Sequence, residues 1–248
     1  MSATFHTEIT LPSKGKFYGK NPWSPTPLPG GKITLKPIQV QEEKLIVSSY
    51  AVEGKIDKVL SRCMLTPFPL TELLITDKYF LILSLRTLSY GSEYYFKLTC
   101  PACRKSLSHK VVLPNGLLLK EACETDVEPF EVSLPMCKSK VTLRFLRSAD
   151  EDEVVRYASQ LVAVEEGDPT YSYRIARQLV AIDGQELDIL ARLNWFETLI
   201  GGDSLAIRRA LQERETGVDL TLHVECKSCR NAFDTLVPFG NEFFPSRI

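Results

Sequence analysis

Short stretches of alternating hydrophobicity are followed by longer stretches of helical periodicity along this chain, and the cycle runs twice. Ile9-Thr10-Leu11-Pro12 and Lys32-Ile33-Thr34-Leu35-Lys36 place apolar residues at every second position, which predicts an antiparallel hairpin within residues 1–40. Helical spacing begins near Gln41, with Leu45, Ile46 and Val52 on one face and Gly54 as the expected stop. A second helix is predicted from Ile56 to Met64, ended by Pro67 and Pro69. Asp77 reads as the N-cap of a third helix reaching Ser89, with Gly91 beyond its end. Phe80, Leu81, Leu83, Leu85 and Leu88 cover most of its circumference, so it is expected at the centre of the core. Strand, tight turn and strand follow over 94–113.

The second half repeats this order. Val132-Ser133-Leu134-Pro135 and Lys138–Arg144 predict a hairpin over 130–145. Helices are expected over 148–215: one to about Glu165 with Ser148 as N-cap and Glu151 completing a capping box, then Thr170–Ile182, Glu186–Ile200 and Asp203–Glu215. The Asp183-Gly184 pair reads as a turn, and a last hairpin is expected over 218–238. Leu11 and Leu134 lie 123 positions apart, and the sequences Cys100-Pro101-Ala102-Cys103 and Cys226-Lys227-Ser228-Cys229 lie 126 apart. So small a drift predicts an internal duplication: an α+β protein of two tandem pseudo-repeats, 1–124 and 125–248, each a β-hairpin, a helical cluster and a CxxC-bearing hairpin.

The paired cysteines change the picture from architecture to chemistry. Two thiolates separated by two residues at a hairpin tip can face one cation, and two such half-sites supply the four soft ligands of a closed tetrahedral zinc site. The expected metal ligands are therefore Cys100, Cys103, Cys226 and Cys229, with zinc as a structural cofactor pinning the repeats together. Other readings compete. A thioredoxin-type redox centre needs its CxxC at a helix N-terminus, whereas strand-like sequence follows both pairs. Separate sites completed by His109 and His223 would each lack a fourth ligand. A zinc ribbon for nucleic acid shares the spacing, and a cluster of reduced thiols holding no metal stays open. Cys63, Cys123 and Cys137 have no partner spacing and are expected as buried apolar filler.

Charge and composition narrow the function. The 248 residues suffice for a proper core, and a net charge of −1 speaks against a polyanion-binding surface, making nucleic acid an unlikely partner. The greasiest run, Tyr79–Leu85, is far short of the about 20 residues that cross a bilayer, and the N-terminus lacks a signal-peptide pattern. Catalysis has no support: His6, His109 and His223 are the only histidines, Gly201-Gly202-Asp203 lacks the Lys-Ser/Thr ending of a phosphate loop, and the acidic run Asp150–Glu153 suits a helix start. The proline-rich loop 18–31, with Trp23 near its tip, reads either as a covering loop or as an arm that docks on a partner. The tail Phe239–Pro245, with Phe243 and Phe244, reads equally as a contact segment or as one that folds back onto its own core.

Leu11-Pro12-Ser13-Lys14-Gly15-Lys16, then Leu35-Lys36-Pro37-Ile38 and Glu42-Glu43-Lys44-Leu45, resembles the opening of the baseplate hub subunit and hub assembly protein family of contractile-tailed, T-even-like bacteriophages. Leu88-Ser89-Tyr90-Gly91 ahead of a Cys-Pro-x-Cys knuckle is similar to that family's middle region, so the resemblance covers residues 9 to 115; the loop 18–31 is an elaboration here. The resemblance implies a non-enzymatic structural or assembly component of the tail baseplate, assembled in the host cytoplasm and located in the virion. Its implied partners are other hub, wedge or tail-tube proteins, with a homo-oligomer as a further expectation. A zinc-ribbon nucleic-acid adaptor is the alternative.

Overall fold

The computed structural model describes residues 5–47, 54–160, 168–239 and 243–244. The chain begins with strands β1 (Thr7–Thr10) and β2 (Lys32–Leu35), paired antiparallel with Ile9 opposite Ile33. Helices α1 (Val40–Val47), α2 (Lys55–Cys63) and α3 (Ile75–Tyr90) follow, then β3 (Glu93–Thr99) and β4 (Ser106–Val112), which form the first long hairpin. A short strand, β5 (Leu118–Lys120), leads to β6 (Phe130–Ser133) and β7 (Lys140–Leu143). Helices α4 (Ser148–Gln160) and α5 (Pro169–Gln178), strand β8 (Leu179–Ile182), and helices α6 (Ile189–Glu197) and α7 (Gly201–Arg214) complete the second cluster. Strands β9 (Gly217–Asp219), β10 (Thr221–Glu225) and β11 (Ala232–Leu236) close the chain. The result is mixed helix with small antiparallel sheets, and the expected Val52 end of the first helix lies outside the described residues. So does the end of the fourth, beyond residue 160.

Helix α3 sits where its all-round apolar surface requires: Leu81 and Leu83 are fully buried. One hydrophobic cluster runs through both halves of the chain, from Leu11 and Ile33 through Leu81 and Tyr94 to Val141, Ile207 and Phe243. Two pairings tie the halves at the backbone and in the interior. Strand β5 pairs with β9, Leu119 opposite Val218. Arg147, 1% exposed, meets Glu128 at 2.5 Å and also donates to the Phe17 carbonyl oxygen in the first hairpin.

Local polar locks recur in the two halves. Lys36 pairs with Glu42 (3.2 Å), whose carboxylate accepts the Gln39 amide; Arg144 pairs with Asp150 (2.7 Å), whose carboxylate accepts the Arg147 amide. In each case the acid lies six residues after the cation and three after the capped amide, and both second strands carry the same alternation of buried and exposed positions. Asp77 accepts the Ser13 amide (3.2 Å), and Asp203, 126 positions on, accepts the amides of Met136 and Cys137 (2.7 and 3.0 Å). Each aspartate thus holds the loop that leaves its half's first hairpin strand.

Several expectations change. Asp77 and Asp203 lie inside their helices rather than at the caps, which are Leu74 and Ile200. Ser148 is likewise within α4; Asp150 makes the reciprocal bond to Arg147, while Glu151 instead pairs with Arg174. Leu179–Ile182, expected as helix, is the third strand of the β6-β7-β8 sheet, with Val141 opposite Ile182. Cys63 is buried as expected, but Cys123 and Cys137 are exposed: both lie in loops outside the helices and strands, where Asp126 and Asp203 accept their backbone amides.

The strap 18–31 lies against the body. Tyr18 and Leu28 are buried anchors, and Glu72 accepts hydrogen bonds from the Thr26 amide (2.9 Å) and the Ser24 hydroxyl. Gly15 and Gly31 cross at van der Waals contact with positive φ; a Cβ on Gly31 would meet the Gly15 nitrogen at 2.5 Å.

Two outcomes follow for stability. Replacing Glu128 with Ala strands a buried guanidinium, and urea titration should show a loss of about 3–5 kcal/mol. Burial pushes the Glu215 carboxyl up to about 7, although Lys120 pulls the other way. Between its ordinary 4.5 and about 7 the folded protein keeps a proton that the unfolded chain releases, so this contribution is complete below 4.5 and lost as pH rises through that window. Glu215→Gln should therefore be the more stable form at pH 8, by about 2 kcal/mol after allowance for partial exposure, and the gap should close toward pH 4.5 in matched urea titrations.

Candidate metal centre

Both cysteine pairs sit in turns at the tips of long hairpins. Alternation along β3 buries Tyr94 and Phe96 and leaves Glu93, Tyr95 and Lys97 outside; along β10 it buries Leu222 and Val224 and exposes His223 and Glu225. Each buried face seats its hairpin on the core, so the tips are held rather than free. The two turns share their hydrogen bonds. Cys100 and Cys226 donate to the carbonyl oxygens of Lys105 and Asn231 (3.0 and 2.9 Å), and Arg104 and Arg230 donate back to those of Cys100 and Cys226 (2.9 and 2.7 Å). Arg104 and Arg230 both adopt φ of 58°, the left-handed conformation that turns the chain under the sulfurs.

The hairpins bring all four sulfurs of Cys100, Cys103, Cys226 and Cys229 within 4.8 Å of one another. Cys100 Sγ lies 3.7 Å from Cys229 Sγ, and Cys103 Sγ lies 3.7 Å from Cys226 Sγ. A disulfide would need about 2.05 Å, so these are free thiols. A tetrahedron of sulfurs about 2.3 Å from a central ion has edges of roughly 3.8 Å, close to the two 3.7 Å contacts between the hairpins. The cluster can therefore hold a metal ion, and no other group of three or more His, Cys, Asp or Glu among the described residues comes together in this way.

Amides help to prepare the thiolates. The backbone N–H groups of Cys229 and Ser228 point at the Cys226 sulfur and, with the neighbouring thiols, lower its pKa to about 6. At Cys229 the Asn231 amide favours the thiolate, but desolvation and the sulfurs of Cys103, Cys226 and Cys100 outweigh it and push the group up to about 12. In the absence of a cation the cluster shares its protons unevenly, as crowded thiols must; an ion with two positive charges reverses that penalty. Cys100 and Cys226 are wholly buried, Cys103 is partly covered and Cys229 is exposed.

The alternatives for the cysteines fare differently. Each CxxC is followed by a strand and not a helix, unlike the thioredoxin arrangement. Neither histidine joins the sulfurs: His223 pairs with Asp234 at 2.5 Å on the outer face of β10–β11, and the His109 ring rests 5.5 Å from Phe96. Trp23 is half-buried, its ring 5.3 Å from the Arg144 guanidinium. Phe243 and Phe244 lie inside, 1% and 4% exposed, with Phe243 edge-on to Tyr94 at 5.3 Å and Phe244 beside Tyr90. Of the two readings of the tail, the structure places these rings on the chain's own core. What spacing alone missed are the aspartate locks, whose trace in the sequence is acidic residues at helix starts, and the Arg147–Glu128 pair, whose glutamate sits in the loop before β6.

The fold is an α+β body in which two long hairpins bring four cysteine sulfurs together. The chain belongs to the T4 bacteriophage base plate protein family, whose family model matches residues 2–244. No curated protein and no solved structure gives a significant match. Family membership assigns a structural role in the phage baseplate, a place in the virion tail and contacts with other tail proteins. Among the described residues no helix is long and apolar enough to cross a membrane.

If the four sulfurs act as one unit, removing either half-site should have the same effect. Cys100→Ser and Cys226→Ser should each lose bound metal and fall by a similar margin in thermal midpoint. Stoichiometric metal retained in one of them would argue for separate sites.

Proposed function

We propose that the protein is a hub-region component of the baseplate, structural or assembly-directing, in which one zinc ion held by Cys100, Cys103, Cys226 and Cys229 pins two hairpins. The observation that carries the zinc assignment is four thiols at tetrahedral spacing with no histidine or carboxylate among them, a donor set that selects a soft, closed structural site. The ion would supply a cross-link between residues over 120 positions apart, worth several kcal/mol against the unfolded chain. The residues themselves hold the thiolates in place through the Ser228, Cys229 and Asn231 amides.

The two halves, 1–124 and 125–248, are read as copies of one unit. The matched turns, the Lys36–Glu42 and Arg144–Asp150 pairs and the Asp77 and Asp203 locks support this. Contact with hub, wedge or tube neighbours, or with a second copy, is assigned first to the strap around Trp23, whose outer edge exposes Pro22, Pro25, Pro27 and Pro29. A contact through Phe243 or Phe244 would require the tail to leave the core. The nucleic-acid adaptor reading has against it a net charge of −1 and the ion-paired lysines beside the strap, such as Lys14 with Glu121.

Metal analysis of the purified full chain should return one zinc per molecule. Peptide mass spectrometry of purified particles should find the protein at a copy number set by the tail axis. Salt-sensitive retention on DNA, without co-purification in tails, would favour the adaptor.

A further inference from the structure

We propose that the cysteine cluster is also an oxidation-ready latch, in which loss of the metal under peroxide converts the pin into two crossed disulfides, Cys100–Cys229 and Cys103–Cys226. This rests on reading the cluster as the metal pin between the hairpins. The sulfur contacts at 3.7 Å both run between knuckles, each joining one cysteine of the first hairpin to one of the second. Closing each bond needs a sulfur movement of less than 2 Å, within reach of side-chain rotation. Within a knuckle, by contrast, a disulfide would have to deform a turn held by the Cys100–Lys105 and Cys226–Asn231 hydrogen bonds and by left-handed Arg104 and Arg230.

Cys229 is the outermost sulfur, and Cys100 and Cys226 are covered completely. In the first contact hydrogen peroxide oxidises one partner: the Cys229 sulfur gains an oxygen to become a sulfenic acid and one water leaves. The Cys100 sulfur then attacks Cys229, forming the S–S bond, and the sulfenic oxygen departs as a second water carrying the Cys100 proton. Two thiols are oxidised by two electrons and one peroxide is reduced to two waters. Cys103 and Cys226 close in the same way with a second peroxide. A particle that leaves a reducing cell for an oxygenated medium would in this way exchange one cross-link between the hairpins for another.

The test uses the purified full chain. Its metal content is measured first; the metal is removed with a chelator, the thiols are oxidised with two equivalents of hydrogen peroxide, and disulfides are mapped by non-reducing peptide mass spectrometry. The expected map shows Cys100–Cys229 and Cys103–Cys226. The oxidised form should melt roughly 5–10 °C above the reduced metal-free form, because each bond closes a loop of more than 120 residues. A map dominated by Cys100–Cys103 and Cys226–Cys229, thiols left unpaired, or an unchanged melting point would overturn the latch. A protein purified without metal would count against the zinc assignment alone, since the disulfide map still decides the pairing.

Discussion

Bringing Cys100, Cys103, Cys226 and Cys229 within 4.8 Å of one another sets the separation and facing of the β3–β4 and β10–β11 hairpins. Every element between Val112 and Thr221 must leave from one hairpin and return to the other. That constraint explains why the intervening chain is organised in short strands and helices that double back: β5 is met by β9, and the β6–β7 hairpin receives β8 at its side. The sulfurs could not stay so close if the hairpins were loosely seated. Each is anchored instead by alternate apolar residues in the common core, with the Tyr94 hydroxyl donating to the Pro238 carbonyl oxygen to join them directly (2.9 Å).

Charge is handled in the interior by pairing rather than by exclusion. Arg144 and Arg177 both reach Asp150, which burial would leave protonated but which these guanidinium groups hold below the usual carboxylate range. Asp77 is different: desolvation raises its pKa in spite of the Ser13 and Tyr18 hydrogen bonds. The same loop-holding task is thus done in the first half by a carboxyl in a dry site, and in the second by one whose amide partners keep it ionised. Buried pairs of this kind add little net stability compared with apolar packing, yet they penalise any arrangement that separates them.

How much of this the sequence discloses depends on the range of each interaction. Period-two alternation located the hairpins, because one buried face imposes it locally, and the CxxC spacing disclosed the cluster because few chemistries need two such pairs. Leu179–Ile182 reads as helix by local pattern because four apolar residues after a helix fit either structure, and only pairing with Val141–Leu143 makes it a strand. Proline density marked 18–31 as irregular. That it lies flat depends on Glu72 and Arg144, partners that no local pattern announces. Asp77 and Asp203 announce helix starts, while their partners are amides more than 60 residues away that no local pattern marks.

Phe243 is packed edge-on against Tyr94 and sits deep among residues contributed by the first half. The first half's interior is therefore closed by a ring from the far end of the described chain. The carboxyl-terminal aromatic pair thus serves as a plug, tying completion of the amino-terminal half's interior to a segment more than 140 residues further along the chain.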